Sequence, residues 1–367
     1  MYGQQGLQDF LFLMLYGGVA MIALIAGFYL LMRRANAIAP DVTPPTVLRR
    51  WTAVFFITAA LSHMWWYALG GHWLTDDLFV RNIVAVTLDD ITLIPLVMSM
   101  LLRMLQDRQR KVWPWFLAQI PILAAATAGI VTHSEFYGFD MMHYWQLLVI
   151  IVFVVYYIHA LKHYGHWLRE NYADLEHKEL WKSLLFVIVL FIFFEVYTTN
   201  AGQMLKEYLS QLITIVIVAF LLWRVETLQK LEVKEDPIIE PDKQELPSVS
   251  VPSGIGSLLH KYCERRQLYL QHDLTLTQLC EKIGTNRTYL SLYFSQQNIT
   301  YNAYVNGLRI NHFERLYREA MASLRSITAQ QLAYDSGFKS YSTFSAAFKQ
   351  IKGQTVTEWI RQQGKAE

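Results

Sequence analysis

The chain has 367 residues, of which 53% are hydrophobic and 17% are charged, and its formal net charge is +2. Soluble domains carry about a quarter of their residues as charged side chains, so this composition excludes an ordinary soluble protein over the whole length. The two cysteines, Cys263 and Cys280, are too few for a disulfide framework or a zinc site, and we interpret them as small buried hydrophobic residues.

Long apolar segments lie within the first 225 residues, and none follows. A helix needs about 20 mostly apolar residues to cross a bilayer. Seven segments approach or reach this length, so we predict an all-α fold that begins with a seven-span bundle over residues 1–225. The last two segments are short and are expected to extend into flanking polar residues. The predicted spans are Phe10–Met32, Trp51–Leu69, Ile83–Leu102, Trp113–Val131, Tyr144–Leu161, Leu184–Tyr197 and Tyr208–Trp223.

The lysines and arginines between these spans predict the orientation of the chain. Loops one, three and five each contain four of them, whereas the segment before the first span and loop four contain none. Loops two and six contain only Arg81 and Lys206. Because basic loops stay in the cytoplasm, we expect the N-terminus outside and the C-terminus inside a bacterial inner membrane.

Four ionisable residues lie well inside the predicted spans, in the half of the membrane nearer the outside: His63, Asp89, Asp90 and Glu195. Charged groups in lipid are costly, so such residues face a bundle interior and often mark function. One hypothesis is an outward-facing cavity that senses a small molecule, an ion or a proton. The alternative is a structural polar cluster that holds helices together.

The segment 226–253 contains four prolines among acidic residues and serines, without hydrophobic periodicity. This composition predicts an extended, flexible linker. It serves either as a plain tether or as a site for proteolytic release.

Residues 254–367 are expected to form a separate basic domain. From residue 250 onward the chain has 14 lysines and arginines against 8 acids, a net charge of +6. A basic domain suits a polyanionic partner, although an ordinary soluble domain can carry the same charge.

This domain contains the same design twice. In each copy a threonine precedes a short helix, a glycine (Gly284 or Gly337) makes a tight turn, and a polar residue (Asn286 or Ser340) caps a second helix. The second helix carries aromatic and leucine anchors on one face and short polar side chains on the other. The polar face could therefore enter a major groove.

The second copy resembles the signature of the AraC/XylS family of transcription regulators, and the resemblance covers about Gly254–Arg361. The matching residues are Gly337, Phe338, Phe344, Phe348, Lys349 and Gly353. The helix carrying Arg309 between the two copies matches as well. The resemblance implies a seven-helix domain with two helix-turn-helix units that read successive major-groove segments of double-stranded DNA, often as dimers.

The sequence departs from the family pattern at four positions. Leu292 and Ala346 stand where a basic residue is common, which removes two potential DNA contacts. Val356 replaces a usual proline and Phe313 a usual alanine, and both are interpreted as packing changes.

By matching position, we predict four DNA contacts from each recognition helix. They are Asn286, Arg287, Thr288 and Ser291 in the first unit, and Ser340, Tyr341, Ser342 and Ser345 in the second. Arg309 and Lys349 are expected to act on phosphates or in structure.

The sequence therefore predicts a membrane-embedded transcription regulator that binds DNA as a homodimer, with the lipid bilayer and a small ligand as further partners. No catalytic group, metal site or cofactor is expected. Two alternatives stay open, namely a transporter with a regulatory DNA-binding tail and a membrane scaffold with a degenerate tail.

Overall fold

The structure is a computed structural model that describes residues 7–70, 74–180, 186, 189, 203–231, 254–323 and 327–363. The chain divides into two compact units. The first comprises Met1–Tyr164 and Leu180–Val233, and the second comprises Gly165–Glu179 and Lys234–Glu367. Within the described residues all regular elements are helical, apart from one isolated β-bridge between Tyr172 and Thr275.

Long helices dominate the first unit. They are α1 (Leu7–Met32), α2 (Thr46–Gly70), α3 (Leu78–Met104), α4 (Trp113–Leu117), α5 (Ile120–Thr132), α6 (Met141–Asn171), whose last residues belong to the second unit, and α7 (Gln203–Thr227). Six candidate spans in the described residues are long and apolar enough to cross a membrane. Six of the seven predicted spans coincide with them, and the predicted span Leu184–Tyr197 falls mostly outside the described residues.

Large apolar side chains cover the outside of these helices. Met14 and Ile25 are each 61% exposed, and Val131 is 79% exposed. Monomeric soluble proteins rarely expose apolar patches larger than a few hundred Å². These outward apolar surfaces are typical of helices that contact lipid.

The helices differ from the predicted spans mainly at their ends. Helix α6 runs to Asn171, about three turns beyond the predicted end at Leu161, because its last part carries polar residues that hydropathy does not count. The predicted fourth span is broken at Ala118–Gln119 into α4 and α5. Pro121, at the start of α5, lacks the N–H group that a continuous helix needs.

A buried ion pair fixes the C-terminal end of α7. Arg49 Nη1 lies 2.9 Å from Glu226 Oε1 and 2.7 Å from Asn36 Oδ1. The other carboxylate oxygen of Glu226 accepts hydrogen bonds from the backbone N–H groups of Ala37 and Ile38. Both charged groups are thereby paired and hydrogen-bonded, as a buried ion pair requires.

The second unit consists of short helices. They are α8 (Ile255–Leu259), α9 (Leu276–Ile283), α10 (Arg287–Gln296), α11 (Tyr301–Ala322), α12 (Ala329–Asp335), α13 (Tyr341–Lys352) and α14 (Val356–Gln363). Counted as α-helices alone, the described part of this domain contains the predicted seven. A π-helical segment (His260–Glu264) follows α8, and a 3₁₀ segment (Leu268–Leu270) precedes α9. Side-chain oxygens cap six of the seven α-helices at the N-terminus, which explains why these helices begin where they do. The capping residues are Thr275, Asn286, Thr300, Thr328, Ser340 and Thr355.

Two hydrophobic clusters form the interior of the second unit, and α11 contributes to both. Its first half places Tyr301 and Val305 in one cluster, and its second half places Ile310 and Phe313 in the other. Each cluster surrounds one repeat of the sequence design. The domain therefore consists of two helix-turn-helix units, each with its own hydrophobic cluster, joined by helix α11.

Candidate nucleic-acid interface

The first helix-turn-helix unit consists of α9, a turn at Gly284 and α10. Thr275 and Gln278 form a capping box at the start of α9, and Gly284 ends it with a φ of 71°. Leu290 and Phe294 of α10 point into the cluster. On the other face Thr288 is exposed and Ser291 half-buried, so this face remains accessible from outside the domain.

The second unit repeats this arrangement with α12 and α13. Gly337 makes the turn with a φ of 91°, and a Cβ atom there would lie 2.8 Å from Leu270 Cα, so both conformation and space require glycine. Phe344 and Phe348 are fully buried, and Tyr341 is exposed on the same helix. Helices α10 and α13 therefore each present one polar face outward.

Helix α11 connects the two helix-turn-helix units of the DNA-binding domain, and its residue Arg309 makes contacts that hold them together. This side chain is fully buried, and its guanidinium donates hydrogen bonds to the carbonyls of Tyr269 (2.8 Å), Gln271 (2.7 Å) and His272 (3.1 Å). The guanidinium also lies 5.5 Å from the centroid of the Phe338 ring. Burial lowers the pKa of Arg309 to about 10, so the group stays protonated at neutral pH.

The sequence allows Arg309 either a phosphate contact or a structural role, and its full burial favours the structural role. Asn286 and Ser340 accept hydrogen bonds from the backbone N–H groups of Tyr289 (2.8 Å) and Thr343 (3.3 Å), so both side chains serve as helix caps. Among the remaining candidates, four side chains are exposed: Thr288, Tyr341, Ser342 and Lys349. Arg287, Ser291 and Ser345 are half-buried.

The interpretation of Val356 and Phe313 as packing residues is confirmed. Both are buried in the second cluster, where the Phe313 ring lies 4.5 Å from that of Phe344 and 6.0 Å from that of Trp359. The larger phenylalanine is thus surrounded by aromatic rings. Cys263 and Cys280 are both buried and neither forms a disulfide, as their interpretation as small core residues requires.

The sensor candidates in the first unit lie on two adjacent helices. The two oxygens of Asp89 accept hydrogen bonds from Ser62 Oγ (2.6 Å) and Trp66 Nε1 (2.8 Å). Beside Ser62, His63 Nε2 lies 3.0 Å from Gln211 Oε1, which connects α2 to α7.

These contacts form one polar group between helices α2, α3 and α7. Asp90 follows Asp89 on α3. The fourth candidate, Glu195, lies outside the described residues.

A contribution that the sequence analysis missed comes from residues 165–179, which pack with the second unit. Ala173 is fully buried in the first hydrophobic cluster, and its N–H group donates to the carbonyl of Leu274 at 3.3 Å. A single alanine after a long apolar helix carries no periodic signal. Its position could not have been found from the pattern.

Two capped helix pairs with polar outward faces, joined by one helix, define a DNA-binding domain with two helix-turn-helix units. Comparison with known proteins agrees with this class. A family model described as a helix-turn-helix domain, of the AraC type, matches residues 279–362. The C-terminal part of the chain is therefore an AraC-type helix-turn-helix domain.

A protein from Staphylococcus aureus described as an uncharacterized HTH-type transcriptional regulator is 26% identical over 104 residues. The match covers 28% of this chain and 13% of that protein. No solved structure matches the chain. The comparisons therefore support a transcription regulator through its DNA-binding domain.

Proposed function

We propose that the chain is a membrane-embedded transcription regulator that couples a signal, sensed in or outside the membrane, to sequence-specific DNA binding. One observation carries this proposal: the described residues of a single chain combine six segments that are apolar and long enough to cross a membrane with an AraC-type DNA-binding domain. In this proposal the membrane domain extends beyond the predicted end at residue 225, because Glu226 and Leu228 are buried in the first unit. The remaining residues up to 253 link it to the DNA-binding domain.

The exposed apolar faces support membrane embedding, and the basic loops support a cytoplasmic location for the second unit. In a bacterium the chromosome lies on that side of the inner membrane. The regulator would act on DNA while anchored.

DNA reading is assigned to the outward faces of α10 and α13. Arg287 is the one arginine among the candidates on these helices, and an arginine bidentate to guanine discriminates by about 1–3 kcal/mol. Thr288, Ser291 and Ser342 would contact DNA through their short side chains, and Lys349 would contact a phosphate group. Helix α11 has 22 residues, or about 33 Å of length, which is comparable with the ~34 Å between successive major grooves on one DNA face.

Leu292 and Ala346 lack the positive charge that is common at their positions in the family. Fewer phosphate contacts weaken binding by a single domain. Pairing of two chains would restore affinity, so we include a homodimer on DNA in the proposal.

The polar group around Asp89 and His63 is the proposed sensor. A reporter gene tests this sensing role when it is placed behind the DNA motif that the chain selects from a random pool. Asp89→Asn should change basal transcription, while the exposed loop variant Asp41→Asn should not. Wild-type transcription in Asp89→Asn and in His63→Ala would contradict a sensing role.

The function is tested by sequence selection. The full chain, reconstituted in lipid nanodiscs, is offered a pool of random double-stranded DNA at near-physiological salt, and bound duplexes are sequenced. An enriched motif with two parts about one helical turn apart supports the proposal. Absence of enrichment would favour a scaffold with a degenerate tail, and substrate movement into liposomes would favour a transporter.

A further inference from the structure

The segment Tyr172–Glu179 is built into the DNA-binding domain although more than 70 residues of chain separate the two. Tyr172 forms an antiparallel bridge with Thr275. Asn302 Nδ2 donates hydrogen bonds to the carbonyls of Tyr172 (3.1 Å) and Ala173 (2.7 Å). The segment therefore occupies a groove between the start of α9 and the start of α11.

The side chains of the segment strengthen this docking. Ala173 is fully buried, and Asp174 and Lys178 are each 3% exposed. The Lys178 ammonium lies 5.5 Å from the centroid of the Tyr172 ring. Burial lowers the pKa of Lys178, and the nearby carboxylate of Asp174 opposes this shift. A lysine is almost never buried to this extent without partners. The charges near Lys178 include Asp273 of the DNA-binding domain, so the segment is packed against that domain.

The segment also reaches the second recognition helix. Thr343 Oγ1 donates to Glu176 Oε2 at 3.4 Å. From Thr343 a chain of hydroxyl groups continues to Ser340 Oγ (3.0 Å) and from there to Ser342 Oγ (2.9 Å). Ser342 is a candidate DNA contact, and Ser340 caps the recognition helix. The carboxylate of Glu176 is thus connected by hydrogen bonds to the surface that the second unit would offer to DNA.

The net negative charge of the segment disfavours the binding of DNA beside it. Residues 172–179 contain three acids, Asp174, Glu176 and Glu179, against one lysine. A carboxylate beside a recognition helix repels the phosphates of an approaching duplex, and this repulsion is screened over about 8 Å at physiological salt.

We propose that residues 172–179 are an inhibitory strap: docked in the groove, they hold the second recognition helix in a state of low DNA affinity, and release of the strap raises that affinity. The strap directly follows α6, which contains a candidate span. A displacement of this helix would therefore move the strap through the covalent chain. This inference rests on the proposed function and names the contact through which the signal would reach the DNA-binding domain.

A reversible disulfide tests the inference. Partners in an antiparallel bridge have Cα atoms about 4.5–5.5 Å apart, within the disulfide range of about 4.4–6.8 Å. The double variant Tyr172→Cys/Thr275→Cys therefore locks the strap in the docked position when it is oxidised. When it is reduced, the strap lacks both the disulfide and the Tyr172 ring that lies over Lys178, so it can leave the docked position. The native cysteines are both buried, which restricts their access to oxidants, and burial raises the pKa of the Cys263 thiol to about 12.

The oxidised and reduced forms of the full chain are compared in nanodiscs, using the duplex selected by the wild-type protein. We expect the oxidised form to bind at least fivefold more weakly than the reduced form. The single variant Thr275→Cys, which loses the same α9 cap, should bind equally in both conditions.

A charge variant gives an independent readout. Glu176→Gln should tighten binding about twofold to fivefold, because one negative charge near the phosphates is removed. Glu170→Gln, the same change on the preceding helix, is the matched control and should have no effect, since Glu170 is exposed and pairs with His166.

Equal affinity of the oxidised and reduced double variant would overturn the inference while leaving the proposed function intact. Failure of the disulfide to form in protein that still selects DNA would show that the strap is not docked, and would overturn it as well. Absence of any selected motif with the wild-type chain would overturn the proposed function itself.

Discussion

Replacing Arg309 with leucine removes a buried guanidinium that donates three hydrogen bonds, at 2.7–3.1 Å, to the carbonyls of Tyr269, Gln271 and His272. Hydrogen bonds to a charged group each contribute about 1.5–3 kcal/mol, and a buried acceptor without a partner costs about 1–3 kcal/mol. Removal of the desolvated charge offsets part of this loss. We expect the free energy of unfolding of the domain to fall by about 3–5 kcal/mol.

The matched control lies on the same helix. Arg318→Leu makes the same chemical change at a side chain that is 71% exposed and lies 3.8 Å from Glu314. Exposed pairs of this kind contribute about 0–1 kcal/mol. Urea denaturation of both full-length variants, followed by hydrogen–deuterium exchange of peptides from α11 and α13, measures the difference.

A phosphate contact predicts the opposite pattern. If Arg309 bound DNA, Arg309→Leu would leave the unfolding transition unchanged, lower DNA affinity and reduce the slope of affinity against salt by about one. Equal denaturation midpoints for Arg309→Leu and the wild-type protein would refute the structural role.

Three further predictions concern other sites. Gly337→Ala should destabilise the domain by about 2–5 kcal/mol, because the new Cβ atom meets Leu270 backbone atoms. Gly353→Ala, which has open space around it, should destabilise the domain by only about 1–2 kcal/mol. Urea denaturation measures both free energies. Glu226→Gln should leave the buried Arg49 unpaired and destabilise the first unit by about 3–5 kcal/mol in thermal unfolding. Burial lowers the pKa of His312, so domain stability should fall as pH drops below the ordinary value of 6.5, and His312→Gln should abolish this dependence in urea denaturation at pH 5.5 and 7.5.

The centres of the spans were predictable because lipid permits few solutions: a spanning helix must be long and apolar. The ends were not, since the last three turns of α6 are polar enough to suggest a loop. The break between α4 and α5 had a visible signal in Pro121, which the hydropathy average conceals.

The helix-turn-helix units were predictable because local chemistry sets their boundaries. Capping by Thr275, Asn286 and Ser340 and the turn at Gly337 need only neighbouring residues.

The burial of Arg309 and of Ala173 could not be predicted from local sequence patterns. A charged residue on a helix resembles a surface position, and its burial depends on carbonyls about 40 residues away. The place of Ala173 depends on a groove about 100 residues further along the chain. Contacts of this range have no periodic pattern.

The proposed function has two parts: the chain is embedded in the membrane, and it binds DNA from the cytoplasmic side. Flotation of membrane vesicles with a labelled copy of the selected duplex tests both parts together. Inside-out vesicles containing the chain should carry the duplex to the top of the gradient, and right-side-out vesicles should not. Protein that stays at the bottom of the gradient, or a duplex that floats with neither kind of vesicle, would contradict the proposed function.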